Sequence, residues 1–323
     1  MSTFVEQITY LGEPAVQASN EQMEIIIVPG WGSNLISCIH KESNYQVLRV
    51  PDSLEEYGSN PYLFGTPVLF PPNRIGDGTF EFNGRTYHLE INEKGKNNHL
   101  HGFVHDKRWE LVKAEAQEDR VVVETEMDSS HYPDIFEQFP HHFVIRMTYM
   151  LEGATLHKNA TIRNKGTEPF PWGLGYHTTF FFPEDQSSFS LTADKRWLLD
   201  ERLLPTGELE EMEYKKELHE GIRLKDWALD DAFLSSALSG GRNEASVETA
   251  GLKIVYRADE HFKHWVVYNA DGRQGFVCPE PYTWVTNAPN LRLPESLTGV
   301  QVLGPGDEVT VKTEIAIYFS TDF

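Results

Sequence analysis

Apolar and β-branched residues come in short runs along the chain, separated by Gly, Pro, Asn and Asp, and that punctuation predicts strands joined by turns. The clearest runs are Met23 to Val28, Val121 to Met127, Phe143 to Leu151, Leu156 to Arg163, Leu252 to Tyr256 and Val309 to Tyr318. Several alternate with the two-residue period of a strand. In the stretch TLHKNATIRN, Leu156, Lys158, Ala160 and Ile162 fall on one face, which can be half buried.

Two hairpins are marked by their turn chemistry. Phe82-Asn83-Gly84-Arg85 holds an Asn-Gly pair between two β runs, and Leu151-Glu152-Gly153-Ala154 joins two more. Helical signals are confined to Pro51 to Gly58 and Pro294 to Thr298, where a proline suits a helix start. The acidic patch beginning at Glu208 reads as a solvated loop. There is no Gly/Ser- or Pro-rich linker, no repeat and no low-complexity block. Residues 1–323 therefore read as one domain, an all-β protein built as a large antiparallel β sandwich with few short helices.

Composition narrows the partners. With 40% hydrophobic and 12% aromatic residues the chain can bury a large core, which excludes disorder. Its net charge of −21 repels phosphate backbones and anionic lipid surfaces, so nucleic acid and membranes are not expected partners and a neutral small molecule is. Cys38 and Cys278 lie far apart in a chain too large to need staples, which points to two buried thiols in a reducing compartment. The first residues, MSTFVEQITYLGEP, lack the basic start and apolar run of a signal peptide, and no stretch is apolar enough for a membrane helix. The expectation is a cytoplasmic protein.

Three segments concentrate polar and aromatic groups. Asn97 to His105 carries His99, His101 and His105; in an extended strand His99 and His101 would share a face, as in an H-x-H metal pair, although surface or structural histidines explain such clusters equally simply. Pro171 to Phe182 sets His177 among glycines and aromatics, a setting that suits either a carbohydrate pocket or a core. Gly275 to Trp284 places Glu280 between Pro279 and Pro281, where stiff backbone favours a pre-set carboxylate or the end of an edge strand. Smaller signals are Arg74, able to fork onto a hydroxyl or carboxylate, and Asp230, able to accept two sugar hydroxyls.

Taken in order from about Asn73 to Phe319, these segments resemble the aldose 1-epimerase, or galactose mutarotase-like, family. The markers are NRIG at Asn73, the run from Phe80 to Leu89 with its Asn-Gly turn, and N-x-L-H-G from Asn98 to Gly102. Three more follow: Gly175-Tyr176-His177 with Phe180, Leu229-Asp230 with Phe233, and Cys278-Pro-Glu280-Pro-Tyr-Thr. The resemblance implies a β-supersandwich and anomer interconversion of a free aldohexose such as glucose or galactose. It implies Glu280 as general base, His177 as general acid and His101 as the histidine that polarises the ring oxygen. Arg74, Asn98 and Asp230 would bind the sugar, with no cofactor and no metal. The chain departs from the pattern with Thr-Thr-Phe after His177 and a single glycine after His101.

Three other readings compete. A metal-dependent cupin would use His99 and His101, but no second half of its motif follows. A non-catalytic carbohydrate-binding protein could share the fold. A hexose-6-phosphate 1-epimerase would need two or more cations near the sugar's C6 end, and Arg146, Arg163, Lys195 and Arg196 are the candidates.

Overall fold

The computed structural model describes residues 3–320, and the alternation in TLHKNATIRN is realised there residue by residue. Leu156, Lys158, Ala160 and Ile162 are buried, while His157, Asn159 and Thr161 are only partly covered. The strand Thr155–Asn164 lies between Phe143–Glu152 and Glu308–Phe319 in an eight-stranded sheet. Glu110–Ala116 and Arg120–Asp128 extend that sheet on one side, and Leu252–Ala258, Glu244–Thr249 and Ser188–Leu191 on the other. Both hairpins form where the turn residues place them. Asn83 and Gly84 take φ of 49° and 75°, the two left-handed positions of a type I′ turn, and Gly153 at φ 56° follows Glu152 in the second.

A second sheet faces the first. Its strands run Pro205–Glu210, Ala193–Leu199, Asp230–Ser235, His264–Tyr268, Phe276–Tyr282, Gly175–Tyr176 and Val68–Leu69, with Phe180–Phe181 pairing beside Phe276–Tyr282. Every named strand pair among the described residues is antiparallel, so the expected all-β antiparallel architecture is present. A five-stranded sheet from Phe4–Tyr10 to Tyr45–Gln46 lies against the Glu110–Asp128 hairpin. One continuous core joins these layers, from Val16 through Ile145, Trp265 and Val277 to Ile317.

The helices differ from expectation in detail. The one predicted from Pro51 starts at Leu54, because the Ser53 side chain accepts the Glu56 N–H and caps it there. Pro294 is the N-cap of Glu295–Thr298, close to the reading. Pro133–Gln138 and Lys215–Glu220 carry no apolar period long enough to announce them. The acidic patch is corrected too: Glu208 and Glu210 belong to the strand Pro205–Glu210, where Glu210 pairs with Arg196 across the ladder. A carboxylate opposite an arginine turns a loop composition into strand.

Lys158 fastens the two large sheets together. From the first sheet its Nζ donates to Thr66 Oγ1 at 2.6 Å and Tyr256 OH at 3.0 Å, and sits 3.6 Å from the centre of the Tyr176 ring. Complete burial pushes the amine well below its usual value. An unfolded lysine titrates near ~10.4, so below that pH the unfolded chain binds the extra proton and stability falls as pH falls. Lys158→Met, of similar length, is expected to raise stability at pH 7 by about 1–4 kcal/mol. Denaturant titrations would show that gain shrinking as pH rises towards ~10.

Candidate active site

Proline cannot donate to a sheet ladder, and the strand Phe276–Tyr282 contains Pro279 and Pro281 in a central position. On one side it pairs with His264–Tyr268 from Cys278 to Tyr282. On the other, Phe276 and Val277 pair with Phe181 and Phe180, and Tyr282 pairs with Gly175. Residues 278–281 are left open between those contacts. The segment His177–Thr179 crosses this gap, held from behind by the His177 N–H to Pro67 O and the Thr179 N–H to Gly65 O. The expected alternative, an exposed glutamate ending an edge strand, is thereby excluded: Glu280 is 1% exposed.

Strand alternation puts Cys278, Glu280 and Tyr282 on one face. The Tyr282 hydroxyl donates to Glu280 Oε2, and Asn73 Nδ2 donates to the same hydroxyl at 3.2 Å. Glu280 Oε1 stands 3.3 Å from His177 Nε2. Burial pushes Glu280 well above the usual carboxylate range, against the pull of the Tyr282 bond and of Arg74. Burial, with Arg74 adding to it, holds His177 down at about 4. These opposed shifts reverse the usual order of the two groups, so the first proton the pair takes up is favoured on the carboxyl and the second goes to His177.

These groups floor a cavity of about 230 Å³ that is also lined by Tyr62, Arg74, His101 and Asp230. His101 adopts φ 66° and Gly102 φ 70° as the chain turns under Phe70, whose carbonyl oxygen would lie 2.2 Å from a Cβ on Gly102. That turn carries the His101 ring edge to face against His177, with centroids 5.3 Å apart. Burial, followed by the neighbouring His177, keeps His101 neutral, well below its usual value. The Nδ1 atoms of His101 and His177 are buried without a partner among the described residues.

Arg74 forks onto Glu93, with Nε to Oε2 at 2.9 Å and Nη2 to Oε1 at 3.0 Å, and is presented to the cavity by that clamp. Asp230 starts its strand opposite Tyr268, and no described residue donates a hydrogen bond to its carboxylate, which burial pushes up against the pull of Arg74. Asn98 has a different place. Its amide donates to Glu93 Oε2 at 2.8 Å and to Arg202 O at 3.1 Å, it is fully buried, and it does not line the cavity. It holds the residue that holds Arg74.

The histidine cluster separates. His99 turns away to Glu90 O at 2.8 Å and packs near Phe103, so the H-x-H face expected of an extended strand does not form, since the strand ends at Leu100. His105 accepts or donates at Tyr62 OH, 3.0 Å away. Tyr62, whose ring lies over His101 at 4.5 Å, comes from a short turn, Pro61–Leu63, that carries no local signal of a site. After His177, Thr178 Oγ1 contacts Tyr256 OH at 3.1 Å and Thr66 Oγ1 at 2.8 Å, so the departure from the usual motif adds buried hydroxyl bonds to the Lys158 cluster.

Removing the hydroxyl that bonds the charged form of Glu280 should raise its pKa further. Tyr282→Phe is expected to keep the infrared band of the protonated Glu280 carboxyl to higher pH than the wild type does, measured by difference spectroscopy across a pH titration.

The aldose 1-epimerase family model matches residues 14–316. Human galactose mutarotase is 29% identical over 202 residues, 59% of this chain and 56% of that protein. Maltose epimerase of Levilactobacillus brevis is 26% identical over 200 residues, 59% of this chain and 57% of that protein. The chain thus matches somewhat over half the length of these curated relatives. Over its whole fold it is similar to a galactose mutarotase-like protein from Clostridium acetobutylicum, with a TM-score of 0.94 at 27% identity covering 98% of this chain and 99% of that one. The galactose 1-epimerase of Lactobacillus acidophilus shares the fold at a TM-score of 0.79 and 15% identity, covering 98% and 99%. A family match that runs from residue 14 to residue 316, on a galactose mutarotase-like fold, makes this chain a member of the aldose 1-epimerase family.

Proposed function

We propose that the protein interconverts the α and β anomers of a free aldohexose such as glucose or galactose, with Glu280 as base, His177 as acid and His101 assisting at the ring oxygen. The observation that carries this reading is geometric: a carboxyl and an imidazole 3.3 Å apart, both lining one cavity. Opening a hemiacetal removes the proton of the C1 hydroxyl and delivers one to O5 as the C1–O5 bond breaks. Rotation about C1–C2 then exposes the other face of the aldehyde, and closure runs both transfers backwards. The step is redox-neutral. His101 lines the same cavity, and its buried Nδ1 has no partner among the described residues.

Asp230 and Arg74 supply an acceptor and a donor for sugar hydroxyls at the cavity wall. The volume, about 230 Å³, lies below the ~300–1,000 Å³ of pockets for drug-sized ligands and suits one ring. Among the described residues lining the cavity, Arg74 is the one lysine or arginine available to a phosphate. Arg146 pairs with Glu126, Lys195 with Glu211 and Arg196 with Glu210 and Asp231, and neither these nor Arg163 line the cavity. A protein that only binds sugar needs hydroxyl partners but no paired acid and base. The proposal places it in the cytoplasm, where its two buried free thiols would stay reduced.

Polarimetry on freshly dissolved α-D-glucose and α-D-galactose is expected to show faster approach to equilibrium, with Glu280→Gln losing about 10²–10⁴-fold of the rate. Unchanged rates across a panel of aldoses would overturn the proposal in favour of a binding protein. The pH profile offers a second check. Falling pH adds a second proton to the pair at His177, whose value is about 4, so kcat/KM is expected to hold through pH 6.5 and to decline only near that value.

A further inference from the structure

We propose that His177, Cys278 and Glu280 form a binding site for a thiophilic divalent cation of the zinc class, and that its occupation stops proton transfer. The binding half stands on geometry alone. The inhibitory half rests on the function proposed above.

One potential donor atom from each residue lies within 4.8 Å of the others, and this is the one such group of three found among the described residues. Zinc bonds of about 2.0–2.3 Å at a tetrahedral angle set donor atoms about 3.3–3.6 Å apart. His177 Nε2 and Glu280 Oε1 already stand at 3.3 Å. The Cys278 sulfur is on the same strand face two residues before Glu280, and its hydrogen-bond partner is Thr179 Oγ1 at 3.3 Å.

The donor set is one nitrogen, one sulfur and one oxygen. That suits zinc or cadmium and not magnesium or calcium, which prefer oxygen alone. Binding requires the Cys278 sulfur as thiolate, Glu280 as carboxylate and His177 Nε2 without a proton, so whatever protons these atoms hold leave to solvent as the cation enters. The resulting thiolate and carboxylate neutralise the dication, so burial, which opposes either anion alone, no longer does. His177 and Glu280 line the cavity, so a cation entering it meets two of the three donors there. With both atoms bound to metal, neither base nor acid is free.

Titrating metal-free protein with cadmium is expected to produce a thiolate-to-cadmium ultraviolet band saturating at about one equivalent, which zinc displaces. Cys278→Ser should abolish the band, while Cys38→Ser, altering the other buried thiol, should keep it. In the polarimetric assay Cys278→Ser should keep the metal-free rate and raise the zinc concentration for half-inhibition at least ~10-fold. Cys278→Ala replaces it should the serine variant fail to fold. Absence of the band, its survival without Cys278, or unchanged zinc sensitivity would overturn the site. A band lost with Cys278 in a protein that turns over no aldose would leave the site standing and remove only the inhibitory half together with the proposed function.

Discussion

Burying a carboxyl group at 1% exposure is tolerable only if both of its oxygens have partners or its proton stays, and the architecture of the site follows from meeting that demand for Glu280. The two flanking prolines keep the adjacent ladder open, which admits His177 to one oxygen. The hydroxyl of Tyr282 reaches the other. That ring needs room, and Gly175 provides it: a Cβ there would stand 2.2 Å from the Tyr282 ring. Asn73, at φ 57°, completes the support by donating to the tyrosine hydroxyl. Each element is ordinary, and together they set a buried carboxyl and an imidazole face to face beside a cavity.

Behind this centre is a second layer that acts on charge rather than on the reacting pair. Asn98 and Arg74 both bond Glu93, and Arg202 bonds Asn98 Oδ1 at 3.0 Å, so the guanidinium facing the cavity is locked from behind. The whole-chain charge of −21 has little influence here. Burial is the first cause of the shifts at Glu280, His177 and His101, and the clamped Arg74 pulls all three downward.

Much of this was legible in the sequence, and for definite reasons. Strand runs and Asn-Gly turns depend on local sterics and period-2 burial, so Met23 to Val28 and the Asn83-Gly84 turn appear where the pattern places them. Glu280, His177, His101, Arg74 and Asp230 converge on one cavity. Asn98 sits behind that cavity because its amide is engaged by Glu93, five residues before it, and by Arg202, about a hundred residues after it, and no local motif reveals that pairing. Tyr62 had no signal, since a tyrosine in a short turn becomes a wall only through what packs beside it.

The histidines show the same division most plainly. Spacing alone set His99, His101 and His105 together, and a left-handed turn at His101 sent them to three different tasks. By itself the sequence determined the β architecture, the turns and the residue types able to move protons, because those depend on neighbours within a few positions. Only the tertiary structure decided that Tyr282 bonds Glu280, that Cys278 lies beside the pair, and that His177, on the segment crossing the gap, faces Glu280. Strand alternation makes the first two contacts possible, but the meeting with His177 depends on packing between groups about a hundred residues apart and on the water excluded between them, and neither is written in local order.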